Sequence, residues 1–280
     1  MREIHIEEIR KALEEAVVQA NTVLPADIRQ ALERACESET LPRAQKLLQI
    51  TLENATIAAE QQLAMCQDTG MVVVEIELGQ DVHVVGGLME EAINQGIRDG
   101  YERAYFRKSV VSDPFIRINT GDNTPAVIHT HLTAGDQMEI VVFPKGAGSE
   151  NMCQLVMLKP SQGIQGVKEF VVKVVREASG NPCPPVLVGV GIGGNMEKAA
   201  LLAKKALLRE VGQRHPEEHL ASLEEELLEQ INTLGIGPQG LGGQTTALDV
   251  FVESYPTHIA CLPVAVCLGC HATRRVKINL

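Results

Sequence analysis

Apolar residues recur at helical spacing through the first part of the chain. In residues 3–20 they return on one face while glutamates fill the other, which is the pattern of an amphipathic helix. A second helix is predicted to begin near Pro25, since proline suits a first helical turn. A third is predicted from about Leu41 to Gln62. Residues 1–62 are therefore predicted to form a helical layer.

Beyond this layer the pattern alternates between strands and helices. The segment Gly70–Leu78 (GMVVVEIEL) alternates β-branched and acidic residues, as a half-buried strand does. Further strands are predicted over 126–133, 137–143, 185–192, 247–253 and 258–267. Helices are predicted over 87–104, 161–178 and, in two segments, 195–232, with a polar loop over 106–124. Because the order is not a regular βαβ alternation, the predicted fold class is α+β. A single domain over 1–280 is expected, with the helical layer followed by a mixed β-sheet packed with helices over 63–280.

Composition narrows the class of protein. The chain has 280 residues, of which 45% are hydrophobic, enough to bury a sizeable core. No apolar run approaches the roughly 18 residues that span a bilayer. The N-terminus mixes acids with isolated apolar positions, unlike a signal or transit peptide. We therefore expect a cytoplasmic protein that does not associate with membranes.

The charge balance argues against a nucleic-acid partner. A formal charge of −11 repels a polyanion. With 3% aromatic residues and no tryptophan, platforms for stacked bases are not expected either. The dense basic cluster Arg274-Arg275-Val276-Lys277 is too short to change this conclusion, although it could hold a small anion.

Seven cysteines are more informative, because disulfides are disfavoured in a reducing compartment. Cys66, Cys183 and Cys270 each stand in a polar or proline-flanked turn at the end of a predicted element. Three other cysteines lie within helical or apolar patterns and are expected to be buried hydrophobes: Cys36, Cys153 and Cys261. Cys267 is left undecided.

Two metal chemistries fit these cysteines. Three thiolates can hold an iron–sulfur cluster and leave one iron open to act as a Lewis acid. The spacing Cys267-x-x-Cys270 is alternatively half of a zinc site, but an all-cysteine zinc site needs a second close pair that the sequence does not supply.

A glycine pattern, Gly189-Val190-Gly191-Ile192-Gly193-Gly194, matches GxGxxG between a predicted strand and a predicted helix. A dinucleotide site would require a second strand ending in an acidic residue, and a charged helical stretch follows instead. Close packing of the strand on the helix is the favoured explanation.

Four motifs together resemble those of the iron–sulfur (class I) fumarases and the related α subunits of L-tartrate dehydratase, in order and separation. They are Cys66-Gln67-Asp68-Thr69-Gly70, Lys145-Gly146-Ala147-Gly148-Ser149, Asn181-Pro182-Cys183-Pro184-Pro185 and Cys270-His271-Ala272-Thr273-Arg274. The resemblance covers essentially the whole chain.

The resemblance implies a [4Fe–4S] cluster held by Cys66, Cys183 and Cys270, with the fourth iron binding the hydroxyl and one carboxylate of the substrate. It further implies substrate contacts and catalytic groups elsewhere in the chain. The substrate contacts would be Gln67, Asp68, Arg107 and Gly146, and the catalytic residues Asp68 and His258.

Many members of this family are longer chains whose second domain supplies the proton-abstracting group, whereas this sequence stops after its third cysteine motif. The resemblance therefore implies a separate β subunit, an α/β hetero-oligomer in which the chain also self-associates, and a small dicarboxylate substrate. The expected reaction is hydration of fumarate to L-malate in the tricarboxylic acid cycle, with L-tartrate dehydration as the alternative. Alternatives of another class are an iron–sulfur sensor and a zinc-stabilised interaction protein.

Overall fold

A computed structural model describes residues 2–280 of the chain. Its helices are α1 Ile6–Thr22, α2 Ala26–Ser38, α3 Pro42–Gln61, α4 Met89–Arg103, α5 Ala147–Glu150, α6 Gly163–Ala178, α7 Met196–Ala206 and α8 Glu218–Asn232. Its strands are β1 Arg2–His5, β2 Met71–Gly79, β3 Val82–Val85, β4 Val127–Thr133, β5 Met138–Lys145, β6 Gln154–Leu158, β7 Val186–Gly193, β8 Ala247–Tyr255, β9 Leu262–Gly269 and β10 Val276–Asn279. The chain divides into two compact units. The first unit comprises residues up to Pro25, Asn54–Ala147 and Arg274–Leu280, and the second comprises Ala26–Glu53 and Gly148–Thr273.

The first unit contains a four-stranded sheet in the order β10-β5-β2-β4 and a parallel pair formed by β1 and β3. Strands β2 and β4 are parallel, whereas β5 is antiparallel to both β2 and β10. Helices α1 and α4 pack on each other, and their apolar faces join the strands in one core. Its fully buried side chains include Ile9, Leu13, Ile76, Ile93, Ile97 and Tyr101.

The second unit also contains a mixed four-stranded sheet, with the order β6-β9-β7-β8. Within this sheet β7 and β8 are parallel, whereas β6–β9 and β9–β7 are antiparallel. Side chains of α6 and α8 form a core with Val188 and Val190 of β7. Successive residues of a strand face opposite sides, so the glycines at 189 and 191 face away from that core. A Cβ at either position would overlap the backbone carbonyl of Ala203 or Ala199 in α7. These glycines therefore let α7 lie directly on the strand, as the sequence predicts.

The α+β fold class with mixed sheets is confirmed. The structure adds four short strands that the sequence did not predict: β1, β3, β6 and β10. Within the motif Lys145–Ser149, the residues from Ala147 onward belong to the short helix α5. The division of the chain at residue 62 stays a prediction. Over residues 2–280 no helix combines the length and the apolar character needed to cross a bilayer.

Candidate active site

The loop Cys66–Gly70, here called the Cys66 loop, leads into strand β2 of the first unit. Its last residue, Gly70, has a φ of +77°, a left-handed conformation that favours glycine. A side chain there would also meet the backbone of Lys145 at 2.7 Å, because β5 runs beside β2 with Lys145 opposite Met71. Glycine thus lets the loop turn directly into the sheet.

Three successive carbonyl groups of the Cys66 loop accept hydrogen bonds from buried side chains. The carbonyls of residues 68–70 accept, in chain order, from the Arg274 guanidinium, the Tyr101 hydroxyl at 2.7 Å and the Asn123 amide at 3.0 Å. These three donors are at most 2% exposed. Because the backbone is held at consecutive positions, the loop has little freedom to redirect its side chains.

The Asp68 carboxylate connects the loop to the end of β5. Its Oδ1 accepts from the Gly70 N–H at 3.0 Å, and its Oδ2 accepts from the Ala147 N–H at 2.7 Å. A Cβ at Gly146 would lie 3.2 Å from the same Oδ2. The structure therefore brings Asp68 and Gly146 together, and their contact with a substrate stays a prediction.

Arg107 also belongs to this cluster. The Thr69 hydroxyl donates to the Arg107 carbonyl at 2.7 Å, which ties the start of the 106–124 loop to the Cys66 loop. Arg107 and Gln67 are exposed, and Cys66 is half-buried. Polar, charged and thiol side chains are thus accessible at the surface, while hydrogen bonds from buried side chains hold the backbone of the Cys66 loop.

Burial raises the pKa of Tyr101 to about 12, against the opposing effect of the Arg274 charge. The phenol therefore remains a hydrogen-bond donor through the neutral range. The buried Nε of Arg274 finds no acceptor among the residues that the structure describes. A buried guanidinium N–H without an acceptor is costly.

In the second unit, Cys183 and Cys270 lie at the same end of one sheet. Cys183 precedes β7 and Cys270 follows β9, and these antiparallel strands pair Leu187 with Gly269. The turn 181–185, here called the Cys183 turn, therefore meets the turn 270–273, the Cys270 turn.

Hydrogen bonds join these two turns. The Cys183 carbonyl accepts from the His271 N–H at 3.3 Å and lies 2.9 Å from His271 Nδ1. The Cys270 carbonyl accepts from the N–H and hydroxyl of Thr273, at 2.9 and 2.7 Å. Cys183 is exposed and Cys270 half-buried, and Cys183 has a φ of +55°. Both thiols thus stand on turns whose carbonyl groups are already hydrogen-bonded.

His258 is not brought to these turns. It lies in the exposed segment before β9, at the opposite end of that strand from Cys270. Its Nδ1 accepts from the Ala260 N–H at 3.1 Å, and its carbonyl accepts from the Cys261 N–H. Its catalytic role stays a prediction that depends on the resemblance.

The donor set fits an iron–sulfur cluster by its chemistry: three cysteines on anchored turns, all at least partly accessible, with a buried arginine near one of them. Among the other cysteines, Cys36, Cys153 and Cys261 are half-buried rather than fully buried, and Cys267 is buried. A further group that could hold a metal ion is Glu150, Cys153 and Cys267.

The supporting residues of the site are those that the sequence did not reveal. In the sequence, Tyr101 cannot be told from other core residues of an amphipathic helix, and Asn123 cannot be told from other polar residues of a loop. A partial signal exists for His271, since it adjoins Cys270 within a motif. Arg274 stood out as part of a basic cluster and as the last residue of that motif, but no role was assigned to it.

Comparison with known proteins identifies the family. The family described as fumarate hydratase (Fumerase) matches residues 10–279. A protein of Methanocaldococcus jannaschii named "Putative L(+)-tartrate dehydratase subunit alpha" is 46% identical over 264 residues, which cover 92% of each chain. The L(+)-tartrate dehydratase subunit alpha of Escherichia coli strain K12 is 36% identical over 259 residues, 91% of this chain and 85% of that protein.

A match of this extent defines the class of the protein as a hydro-lyase. The chain belongs to the fumarate hydratase (Fumerase) family. The resemblance stated from the four motifs is thereby confirmed.

Proposed function

We propose that this chain is the cluster-carrying α subunit of an iron–sulfur hydro-lyase that, with a separate β subunit, removes water from L-tartrate. The geometric observation that supports the site is the Cys66 loop, where three consecutive carbonyls are hydrogen-bonded to buried side chains below exposed functional groups. The names of the relatives support tartrate over fumarate, which reverses the order that the sequence favoured. They also support the β subunit, since both relatives are named as α subunits.

We assign Cys66, Cys183 and Cys270 as the ligands of a [4Fe–4S] cluster. A cluster held by three protein thiolates supplies a Lewis-acidic iron for the substrate oxygen. A cluster with an open iron requires a reducing compartment, which favours the cytoplasm.

The remaining roles belong to side chains of the first unit. Arg107 is exposed and can bind one substrate carboxylate through two charge-assisted hydrogen bonds. Gly146 allows the close approach of an anion to the backbone, and Gln67 is exposed on the anchored loop. Asp68 is oriented by two backbone N–H groups, so its carboxylate can orient the substrate hydroxyl or pass a proton to it. The base that removes the carbon-bound proton is assigned to the β subunit.

Hydration of fumarate to L-malate is the second candidate, and the description of the matching family favours it. Both substrates are four-carbon diacids that can be held by the same arginine and backbone groups. The sensor and the zinc-stabilised interaction protein have no support from the family match. We further propose an α/β hetero-oligomer in which the α subunit also self-associates.

The test is reconstitution of the co-purified α/β complex without oxygen, followed by iron and sulfide analysis and assays on L-tartrate, L-malate and fumarate. We expect about four irons and four sulfides per α chain, with L-tartrate consumed at the highest kcat/KM. Serine variants of the three ligand cysteines should each lose the cluster, whereas Cys36→Ser and Cys261→Ser should retain it.

The possible failures can be told apart. Faster turnover of fumarate or malate would replace tartrate as the substrate and leave the cluster assignment intact. A cluster that survives Cys66→Ser, Cys183→Ser and Cys270→Ser would instead overturn the ligand assignment.

A further inference from the structure

Two cysteines outside the proposed cluster face each other in the second unit. Strands β6 and β9 are antiparallel, with Gln154 opposite Val266. Extending this register by one residue places Cys153 opposite Cys267. Their sulfur atoms are 3.3 Å apart, although the residues are separated by 114 positions in the chain. The pair is thus a product of strand register.

A carboxylate completes the group. Glu150 Oε2 lies 4.0 Å from Cys153 Sγ, and one ligand atom from each of Glu150, Cys153 and Cys267 lies within 4.8 Å of the others. The other oxygen of the same carboxylate, Oε1, pairs with the Lys204 ammonium. Carboxylates that bind metals are commonly held by such an outer hydrogen bond, which leaves one oxygen directed at the metal.

The separations suit a tetrahedral metal better than a disulfide. Zinc–sulfur bonds of about 2.3 Å at tetrahedral angles place two ligand atoms about 3.7 Å apart. The observed 3.3 Å and 4.0 Å lie on either side of that value. A disulfide requires sulfur atoms about 2.05 Å apart, so the thiols would have to move much further to form one.

The net charge of the group and the volume of the cavity beside it also suit a divalent cation. Two thiolates and one carboxylate carry three negative charges, Lys204 returns one positive charge, and a divalent cation neutralises the remainder. The three residues line a cavity of about 200 Å³ together with Lys204 and small side chains of α7 and β9. That volume holds a water molecule as a fourth ligand.

We propose that Glu150, Cys153 and Cys267 form a binding site for one thiophilic divalent cation of the zinc type. The site uses none of the residues assigned to the cluster. It is independent of the substrate and of the proposed reaction. Its effect would be structural, since it would fasten β6, an edge strand, to β9 and to the helical turn that carries Glu150.

The experiment uses the full chain without oxygen. The variant Cys66→Ser/Cys183→Ser/Cys270→Ser removes the other clustered thiols, and it is titrated with Co²⁺ and then Zn²⁺. We expect a single bound ion with thiolate-to-cobalt charge-transfer absorption, displaced by zinc. Even outer-shell partners contribute roughly 10–100-fold to metal affinity, so adding Cys153→Ser should weaken zinc binding by more than about 100-fold.

Matched variants complete the design. Glu150→Gln in the same background should weaken zinc binding by at least about 10-fold, whereas Cys36→Ser and Cys261→Ser should leave it unchanged. If the triple variant does not fold, the reconstituted wild-type complex serves instead. There, Cys153→Ser should remove zinc and leave the iron content intact.

Two results would overturn the proposal. One is zinc binding that is indifferent to Cys153→Ser, which would locate the ion elsewhere. The other is absence of zinc binding combined with a Cys153–Cys267 disulfide, seen by peptide mapping after treatment with a mild thiol oxidant. The pair would then be a redox pair rather than a metal site.

Discussion

The Cys66 loop and the Cys183 turn hold their cysteines in different ways. In the Cys66 loop, long side chains from distant parts of the first unit hold three successive carbonyls. In the Cys183 turn, the chain itself provides most of the constraint. Prolines flank Cys183, its N–H donates to the Gly180 carbonyl at 3.1 Å, and its φ is +55°.

This difference indicates which substitutions will weaken each turn. A backbone held by side chains can be released by substitutions far away in sequence, and the loss is that of buried hydrogen bonds. A backbone held by its own conformation responds instead to the residue at the strained position. The stability of these variants is compared in the chain without cluster or partner, because a bound ligand would itself stabilise the folded state.

The largest effect is expected for Asn123→Ala. Asn123 is fully buried, accepts from the Ser109 N–H at 2.7 Å and donates to the Gly70 carbonyl, and its φ is +63°. The variant removes both hydrogen bonds, leaving the Ser109 N–H without this acceptor and the Gly70 carbonyl with only the longer contact to the Tyr101 hydroxyl at 3.4 Å, and it puts alanine in a left-handed conformation. We expect a loss of about 3–5 kcal/mol in the free energy of unfolding, measured by urea denaturation.

Asn119→Ala is the matched control. Asn119 also makes two hydrogen bonds to the backbone of the same loop, but it is exposed. Its replacement should cost less than about 1 kcal/mol. Equal losses for the two asparagines would contradict the view that buried anchors hold the Cys66 loop.

A smaller loss is expected for Tyr101→Phe, which keeps the ring and its edge-on contact with Phe106 but leaves the Thr69 carbonyl unpaired. The cost should be about 1–2 kcal/mol. Tyr105→Phe is the control, since Tyr105 is 93% exposed and should be neutral. An unchanged midpoint for Tyr101→Phe would show that this anchor is dispensable.

The same tyrosine gives a pH prediction. Its pKa is raised by burial from the usual value of about 10 to about 12 in the folded chain. The unfolded state therefore loses this proton first, and the stabilisation is present below pH 10 and is lost as the pH rises towards 12. The wild-type chain should lose stability over this interval relative to Tyr101→Phe. Parallel profiles would contradict the assignment.

The smallest effect is expected at Cys183, where the backbone conformation matters more than the thiol. Cys183→Gly should be more stable than Cys183→Ala by about 1 kcal/mol, because glycine accepts the positive φ without strain. At Cys36, inside helix α2, the same comparison should have the opposite sign, with glycine less stable by about 1 kcal/mol. The same sign at both positions, in thermal unfolding, would refute this contrast.

The sequence predicted those parts of the fold that carry their own signal. The amphipathic helices and the longer strands follow from periodicity, and β2 and β7 lie close to their predicted bounds. Strands β1 and β10 were missed because four residues carry little pattern, and each is stabilised by a partner far away in the chain. Such short strands form where the folded chain offers a free sheet edge to pair with, and the position of that edge is set by tertiary structure rather than by local sequence.

The candidate site divides in the same way. The cysteine turns were found because their polar and proline-rich neighbours are local in sequence. The anchors were not, since Tyr101 looks like any core residue until the fold sets its hydroxyl under the Thr69 carbonyl. Cys153 was expected to be a buried hydrophobe, and strand register alone reveals its sulfur partner.

The glycines of β7 have a consequence for how such chains are classified. Since a Cβ at Gly189 or Gly191 would overlap the backbone of α7, any sequence that keeps this helix seated on this strand must keep glycine at both positions. The glycines of a GxGxxG pattern, which is also the fingerprint of a dinucleotide site, thus arise here because no Cβ fits between the strand and the helix. A genome survey that assigns cofactors from that fingerprint would count this chain among dinucleotide-dependent proteins on the evidence of a packing constraint alone.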